Sequence, residues 1–597
     1  MMNLRRALSI SAVIFFAATV PLAWCAERYA VRFERGVAVK MRDGVVLRAD
    51  VYRPDADGKF PVLLQRTPYN KAGEFDFGLK AAARGYVVVV QDVRGRYTSE
   101  GEWYTFRHEP DDGYDTVEWA AALPDSNGKV GMFGGSYVGA TQMLTAIAHP
   151  PHLAGIFPVV TASNYHENWT YQGGAFEQWF NESWTSGLAQ DTLNRQVARN
   201  TNAMHNVWKL PLSDYPLFDA GAAAGSENPR SLAPYCIDWL MHPSYDDYWK
   251  RISIEEHFSQ INVPVYSEAA WYDIFLGGSL QNYMGIKTRG ASDTARRGQR
   301  LLVVIGGHAG RGRHIGDVDF GPAAEQVDQE EVMLRWYDAI LKGEKNGVDR
   351  EKPVKIFVMG KNDWREEDDW PLARAQSTRY YLHSGGKANS LRGDGTLIQQ
   401  GGTQTEPADH FVYDPADPVP TSGGPLCCDA GHLAPGPRDQ RPVEVRDDVL
   451  VYTTPALKQD LEVTGPVSLE LYASSSAVDT DFTAKLVDVW PNGFAQNLTE
   501  GILRARYRNS REKPEIINPG EVYKLTIDLW ATSNVFLAGH ELRLEVSSSN
   551  FPRFDRNPNT GESPEQAIRV TKATNTIYHD REHPSALVLP VVQLSSP

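Results

Sequence analysis

A serine hydroxyl, a carboxylate and an imidazole occur along this chain in the order and settings that acyl-transfer chemistry needs. Ser136 lies in "GKVGMFGGSYVGATQML", between a short apolar run and a small-residue run. By itself a serine at such a boundary is better read as a helix N-cap. A nucleophile needs a base, and the base needs an orienting carboxylate. Asp273 directly follows "VPVYSEAAWY", and His308 directly follows "RLLVVIGG". The order Ser, acid, His, each just past a strand, suits one known arrangement of such a trio. His314 lies in the same loop as His308 and is the alternative base. His108, His149 and His152 precede Asp273, in turns or at helix ends, and read as surface or capping groups. A nucleophile turn must be tight and flanked by small residues. Gly134 and Gly135 supply them on one side. On the other side the second glycine is displaced to Gly139, with Val138 in the usual glycine slot. An oxyanion hole would take the backbone amide of Tyr137 and a second donor from the loop "QRTPYN", where Tyr69 offers a phenolic hydroxyl.

The elements needed to hold these groups are legible around them. "VAVKMRDGVVLRADVYR" alternates as two strands about an "RDG" turn. "PVLLQRTPYN" is a buried strand entering a loop, and "GYVVVVQDVRGR" is a β-branched run of the kind found in a central parallel strand. "DDGYDTVEWAAAL" reads as a helix with Asp at its start, and "GKVGMFGG" as a further strand. This alternation predicts a doubly wound α/β domain. Residues 161–255 change character: "NYHENWTYQGGAFEQWFNESWTSGLAQ" is aromatic and helical in pattern, with no strand-like run, and predicts a helical cap. Strand-then-loop grammar returns over 256–365. From 366 to 597 short alternating strands such as "YKLTIDLW" and "HELRLEVSSS" predict an all-β jelly roll or sandwich.

Several segments together resemble the CocE/NonD hydrolases, a group of cocaine-esterase-type enzymes, α-amino-acid ester hydrolases and glutaryl-cephalosporin acylases, related to Xaa-Pro dipeptidyl-peptidases. They are "RTPYNK", "GYVVVVQDVRGRYTSEGEW", "DGYDTVEWAA", "SNGKVGMFGGSYVG", "AAWYDIFLGGSLQNY", "GDVDFGP", "DTDFTAKLVDVWPNG" and "SSSNFPRFDRNPNTGE". The resemblance spans roughly residues 30–590. It implies an α/β-hydrolase domain of residues 26–160 and 256–365, a helical cap between them and a C-terminal jelly roll. It implies Ser136 as nucleophile, Asp273 as the acid, and Tyr69 and Tyr137 as oxyanion donors. The segment "IGGHAGRGRHIGDVDFG" departs from the family, which usually carries a Gly-Pro-Trp-x-His stretch around the base. "LPDSNGK" departs at Asp125, read as surface variation. In the cap, Trp169, Tyr171, Phe176, Trp179, Phe180 and Trp184 form an aromatic patch, of which Trp169, Phe176 and Trp179, with Glu177, are the candidate pocket residues. Glu167, Glu177 and Glu182 are also the carboxylates available for a substrate ammonium, as in the amino-acid ester hydrolases.

Composition narrows the remaining choices. The 597 residues carry a net charge of −15, which argues against a nucleic-acid partner. No metal-ligand spacing is present, and the chemistry requires no cofactor. "MMNLRR" followed by "ALSISAVIFFAATVPLAW" is of signal-peptide type, predicting export to the periplasm or medium and no stable membrane span after cleavage. Cleavage after Cys25 puts Ala23 and Cys25 at the small-residue positions. Lipid anchoring at Cys25 is the weaker alternative, because Trp24 stands where a small residue is expected. Beyond Cys25 there are Cys236, Cys427 and Cys428. One bridge among them is allowed, with the pairing open. The leading expectation is an exported Ser-His-Asp hydrolase acting on a small ester or amide. The alternatives are an Xaa-Pro dipeptidyl-peptidase or α-amino-acid ester hydrolase and, from another class, a non-catalytic jelly-roll binding protein. Self-association is left open.

Overall fold

A computed structural model describes residues 29–200, 232–308, 310–402, 406–562, 567 and 569–593. The signal segment, residues 1–25 including Cys25, lies outside the described residues. Strands β1 (Val31–Lys40) and β2 (Val46–Pro54) pair antiparallel about the "RDG" turn. Gly44 takes φ 93° there, and the Met41 amide bonds the Val45 carbonyl at 2.8 Å. The sheet continues with β3 (Phe60–Thr67), β4 (Val87–Asp92), β5 (Ser126–Gly135), β6 (Leu153–Val159), β7 (Tyr266–Tyr272), β8 (Arg300–Gly307), β9 (Val354–Val358) and β10 (Asp363–Glu367). Its order is β1-β2-β4-β3-β5-β6-β7-β8-β9-β10. From β4 to β9 every neighbouring pair is parallel. Every residue of β4 and of β7 is buried, which is why neither strand alternates between apolar and polar residues.

Helices α1 (Phe75–Ala83), α2 (Glu109–Ala121) and α3 (Tyr137–Ile147) connect the first parallel strands. Helix α2 begins at Glu109, earlier than its sequence pattern suggested, with Pro110 in its first turn and Glu109, Asp111 and Asp112 at its positive end. The cap contributes α4 (Gln178–Asn200) and α5 (Pro234–Met241). It also holds a small hairpin that the sequence pattern did not suggest, Tyr171–Gln172 with Ala175–Phe176. That hairpin turns on Gly173 and Gly174 because the β-rich part lies against it: a Cβ on Gly173 would stand 2.0 Å from the Ile502 carbonyl oxygen. Helices α6 (Leu276–Arg289) and α7 (Gln329–Tyr337) flank the second half of the sheet.

The apolar core on one face of the sheet runs into the cap, joining Tyr137, Trp169, Trp184, Trp239 and Phe275. The C-terminal part forms an eleven-stranded antiparallel-rich system among the described residues, starting at Gln376–His383 and ending at Ala586–Val592. Its core is continuous with that of the hydrolase sheet through Trp271, Phe357 and Met359. The Tyr272 hydroxyl, one residue before Asp273, donates to the Asn497 carbonyl at 3.0 Å. The β-rich part is therefore seated on the strand end that carries the acid. No helix among the described residues is long and apolar enough to cross a membrane.

Helices α2 and α3 touch at Gly113, where a Cβ would come 1.9 Å from Thr145 Oγ1. Gly113→Ala is expected to lower stability by about 1–3 kcal/mol, since overpacking outweighs the helix-propensity gain of about 1 kcal/mol. Thermal unfolding of the variant should show a lower Tm, and Thr145→Ala in the same background should recover part of it. An unchanged Tm would mean that the helices separate freely.

Candidate active site

The turn between β5 and α3 explains the spelling around Ser136. Ser136 takes φ 59° and ψ −127°, a conformation L-residues rarely adopt. It stands at the N-cap position, yet its side chain makes no capping bond. Its amide is instead bonded to the Val159 carbonyl at 2.9 Å, and its carbonyl accepts from the Ala140 amide and from Thr161 Oγ1. Gly134 is needed because a Cβ there would lie 2.4 Å from Val138 Cγ1. Gly139 is needed because a Cβ there would lie 2.7 Å from Thr161 Cβ. The displaced second glycine thus marks where α3 meets the strand-end loop after β6.

The freed hydroxyl meets the imidazole. His308 Nε2 is 2.9 Å from Ser136 Oγ, and His308 Nδ1 is 2.7 Å from Asp273 Oδ2. Asp273 is fully buried, and its Oδ1 accepts the Phe275 amide at 2.7 Å. The Phe275 ring packs edge-on to the imidazole at 5.1 Å. His314 is exposed and sits in a two-residue hairpin strand facing a neighbouring cavity. Of the two histidines in this loop, His308 is the one brought to Ser136. The loop is tied back by Arg311, whose Nε lies 2.8 Å from Glu268 Oε1 on β7.

Tyr69 and Tyr137 are differently placed. The Tyr69 ring opens onto the cavity, while its hydroxyl end is crowded: burial pushes its pKa up, and contacts with Trp184, the Ser136 side chain and the Tyr137 amide pull it back. The Trp184 indole N–H donates to the Tyr69 oxygen at 3.0 Å, which leaves the phenolic proton free for another acceptor. The Tyr69 hydroxyl and the Tyr137 amide therefore share the space beside Ser136 Oγ. The Tyr137 side chain points away. Its hydroxyl donates to Glu109 Oε1 at 3.0 Å and accepts the Phe106 amide at 2.7 Å. Glu109 in turn holds buried Arg66 of β3 at 2.7 Å.

A cavity of about 540 Å³ opens at Ser136, and its walls include Tyr69, Trp184, Leu188, His308, Cys427 and Cys428. The four pocket candidates named from the sequence do not line it. Trp169 is fully buried and stacks on Phe275 at 4.4 Å, so it supports the His308 wall from behind. Phe176 is buried at the join to the β-rich part, its amide bonded to Asp555 Oδ1 at 2.8 Å. The Trp179 amide bonds the Pro552 carbonyl at 3.0 Å, and its ring lies near His432. Glu177 is buried near Arg553, and burial pushes its pKa up to about 7. Each residue belongs to the cap's inner or far face, which an aromatic-rich helical pattern does not distinguish from the cavity face. Cys427 and Cys428 were missed as wall residues. They are joined as a disulfide between adjacent residues. Their adjacency in "GGPLCCDAG" is the signal that was available.

Comparison with known proteins agrees with this architecture. Residues 43–315 match the X-Pro dipeptidyl-peptidase (S15 family) model, and residues 346–588 match the X-Pro dipeptidyl-peptidase C-terminal non-catalytic domain. The chain is 41% identical over 572 residues to the cocaine esterase of Rhodococcus sp. (strain MB1 Bresler), covering 93% of this chain and 98% of that one. It belongs to the CocE/NonD family of serine hydrolases. Among solved structures this CocE/NonD hydrolase is similar to an α-amino acid ester hydrolase, with TM-score 0.76, 25% identity and coverage of 98% and 100% of the two chains. It is also similar to an aminopeptidase from a marine sediment Thaumarchaeota archaeon, with TM-score 0.77, 26% identity and coverage of 98% and 99%. The protein is thus an enzyme of the serine esterase and hydrolase class, with an α/β domain followed by an all-β domain.

The Glu268–Arg311 tie has a pH signature. Burial pushes the Glu268 carboxyl up to about 7 against the partial relief given by Arg311. The 2.8 Å ion pair leaves the carboxylate oxygens without a well-aligned hydrogen bond. Between the unfolded value, about 4.5, and the folded value the unfolded chain holds fewer protons, so stability falls as pH rises through this window, by up to about 3 kcal/mol. Glu177 acts in the same direction. Glu268→Gln should therefore shrink, without abolishing, the drop in Tm between pH 5 and pH 8. A drop as large as in the parent would show that Glu268 titrates normally.

Proposed function

We propose that this protein is an exported esterase in which Ser136 attacks the carbonyl of a small carboxylic ester. The observation that carries the reading is the imidazole of His308 held between Ser136 Oγ and Asp273 Oδ2. His308 takes the serine proton as Oγ attacks, and Asp273 keeps the ring in the tautomer with Nδ1 protonated and stabilises the imidazolium. Tyr69 and the Tyr137 amide receive the developing oxyanion. The imidazolium then protonates the leaving alkoxide. A water, deprotonated by the same histidine, releases the acid from the acyl-serine.

The wall composition favours a neutral acyl group. Among the described residues, the cavity wall apart from the catalytic groups is aromatic, aliphatic or sulfur-containing except for Ser183 and Gly187, and it includes no carboxylate. Glu177, the best-buried carboxylate among the described cap residues, lies outside this wall and interacts electrostatically with Arg553. A dipeptidyl-peptidase or amino-acid ester hydrolase must neutralise a substrate ammonium, so ordinary carboxylic esters are the better fit. Export is supported by the basic and apolar N-terminal segment, and by a disulfide that an oxidising compartment would maintain.

Ser136→Ala should abolish both p-nitrophenyl ester turnover and fluorophosphonate labelling. Tyr69→Phe should lower kcat by about 10²–10³-fold with a smaller change in KM, as for loss of one oxyanion donor. In a panel of p-nitrophenyl esters, aminoacyl esters and an Ala-Pro anilide, the neutral esters should give the highest kcat/KM. Retained turnover in Ser136→Ala, or a preference for the Ala-Pro anilide, would overturn the assignment.

A further inference from the structure

The wall of the cavity facing Ser136 and His308 comes from a different part of the chain than the catalytic groups. Gly424 and Gly436 exchange both backbone hydrogen bonds, at 2.8 and 2.9 Å. The segment 425–435 between them is therefore a flap closed at its base, of the compact surface-loop type. Both glycines have positive φ, 88° and 92°. A Cβ on Gly436 would stand 2.9 Å from Ile315 Cγ2, so the flap's foot rests on the hairpin that follows His308. Next to this foot, the Asp317 amide bonds the Pro437 carbonyl at 2.8 Å, and Arg438 pairs with Asp317.

The flap carries the Cys427–Cys428 disulfide. Cys427 is buried against the core shared by hydrolase and cap, whereas Cys428 is exposed. Both line the 540 Å³ cavity at Ser136, and both also line an adjacent cavity of about 470 Å³ bounded by Gly307, Gly310 and His314. The cysteine pair is the partition between the two spaces. Cys428 has φ 110°, a conformation that costs a non-glycine residue and persists only where its surroundings impose it. The closed ring formed with the neighbouring cysteine is such an imposition.

We infer that the Cys427–Cys428 pair is a thiol–disulfide modification site whose oxidation state sets the size of acyl group the cavity accepts. This rests on the esterase reading of Ser136. The thiolate of an external dithiol attacks the exposed Cys428 sulfur and displaces Cys427 as a thiolate, which takes up a proton. The second thiol of the reductant then releases Cys428 and closes its own disulfide. Two electrons pass from the reductant to the protein. Once reduced, the two sulfurs must move apart to van der Waals separation, because unbonded atoms cannot keep a covalent spacing. Cys428 is then free to leave its strained backbone conformation, and the partition between the cavities opens. The oxidised form therefore favours short acyl groups, and the reduced form admits bulky ones.

The test compares the protein as isolated with the same protein reduced by dithiothreitol, using p-nitrophenyl acetate and p-nitrophenyl decanoate. Alkylation and peptide mapping should find residues 427 and 428 bridged before reduction and both alkylated after it. The ratio of kcat/KM for decanoate to that for acetate should rise roughly ten-fold on reduction, the scale of discrimination a few methylenes of space provides. A Cys427→Ser/Cys428→Ser double variant should have the raised ratio with or without reductant. Free thiols at both positions in the isolated protein, or one ratio in both redox states, would overturn the proposal. Loss of fluorophosphonate labelling at Ser136→Ala together with esterase activity upholds the underlying reading whichever way the redox test falls.

Discussion

The backbone at Ser136 is the constraint on which the site depends. A serine with φ 59° between a strand and a helix costs on the order of 1–3 kcal/mol and must be held by what surrounds it. The Val159 carbonyl grips its amide, Thr161 caps its carbonyl, and the missing Cβ atoms of Gly134 and Gly139 leave room for both neighbours. One residue on, Tyr137 is locked by its hydroxyl to Glu109 and the Phe106 amide, and Glu109 to Arg66. This buried polar chain crosses from β3 through α2 to the first residue of α3. A buried network of this kind favours a single geometry, because losing a member strands its partner in a low-dielectric interior. The same residue therefore anchors the turn through its side chain and leaves its backbone amide beside the Tyr69 hydroxyl.

The rest of the site is assembled around that fixed point from separate layers. The sheet supplies Ser136, Asp273 and His308 at the ends of β5, β7 and β8. The cap supplies Trp184, which donates to the Tyr69 hydroxyl and also forms cavity wall. The β-rich part supplies the Cys427–Cys428 flap and braces Tyr272 next to the acid. The Ser136–His308–Asp273 group and the walls of its cavity are thus carried by different segments. A family built this way can share its reactive groups while its members differ in what they cleave.

The reactive groups were legible in the sequence because each sits at a strand end whose pattern is strong. β5, β7 and β8 lead directly into Ser136, Asp273 and His308. The choice between His308 and His314 was not legible, since both lie in one loop and only the pairing of that loop with β7 through Arg311 and Glu268 turns one of them inward. The pocket was harder still. Trp169, Phe176, Trp179 and Trp184 share one aromatic-rich stretch, and nothing in its periodicity tells the face that meets Phe275 from the face that meets solvent above Ser136. The cysteine wall lies in a separate part of the chain, so its proximity is a property of how the two cores fuse rather than of any local pattern.

That fusion has a consequence for the order in which the molecule comes into being. The last strand, Ala586–Val592, pairs on one side with Gln376–His383 and on the other with Leu461–Ser475. The β-rich part therefore cannot close until Ala586–Val592 has been made. Ser136 stands in the first half of the sheet, whose core joins the cap rather than the β-rich part, so that half can form earlier, since domains tend to fold from the N-terminal side. On the ribosome the Ser136 turn would precede the wall that faces it. The facing wall is then the last part of the cavity to be built, and a chain stopped before Ala586–Val592 would hold the turn without its cover.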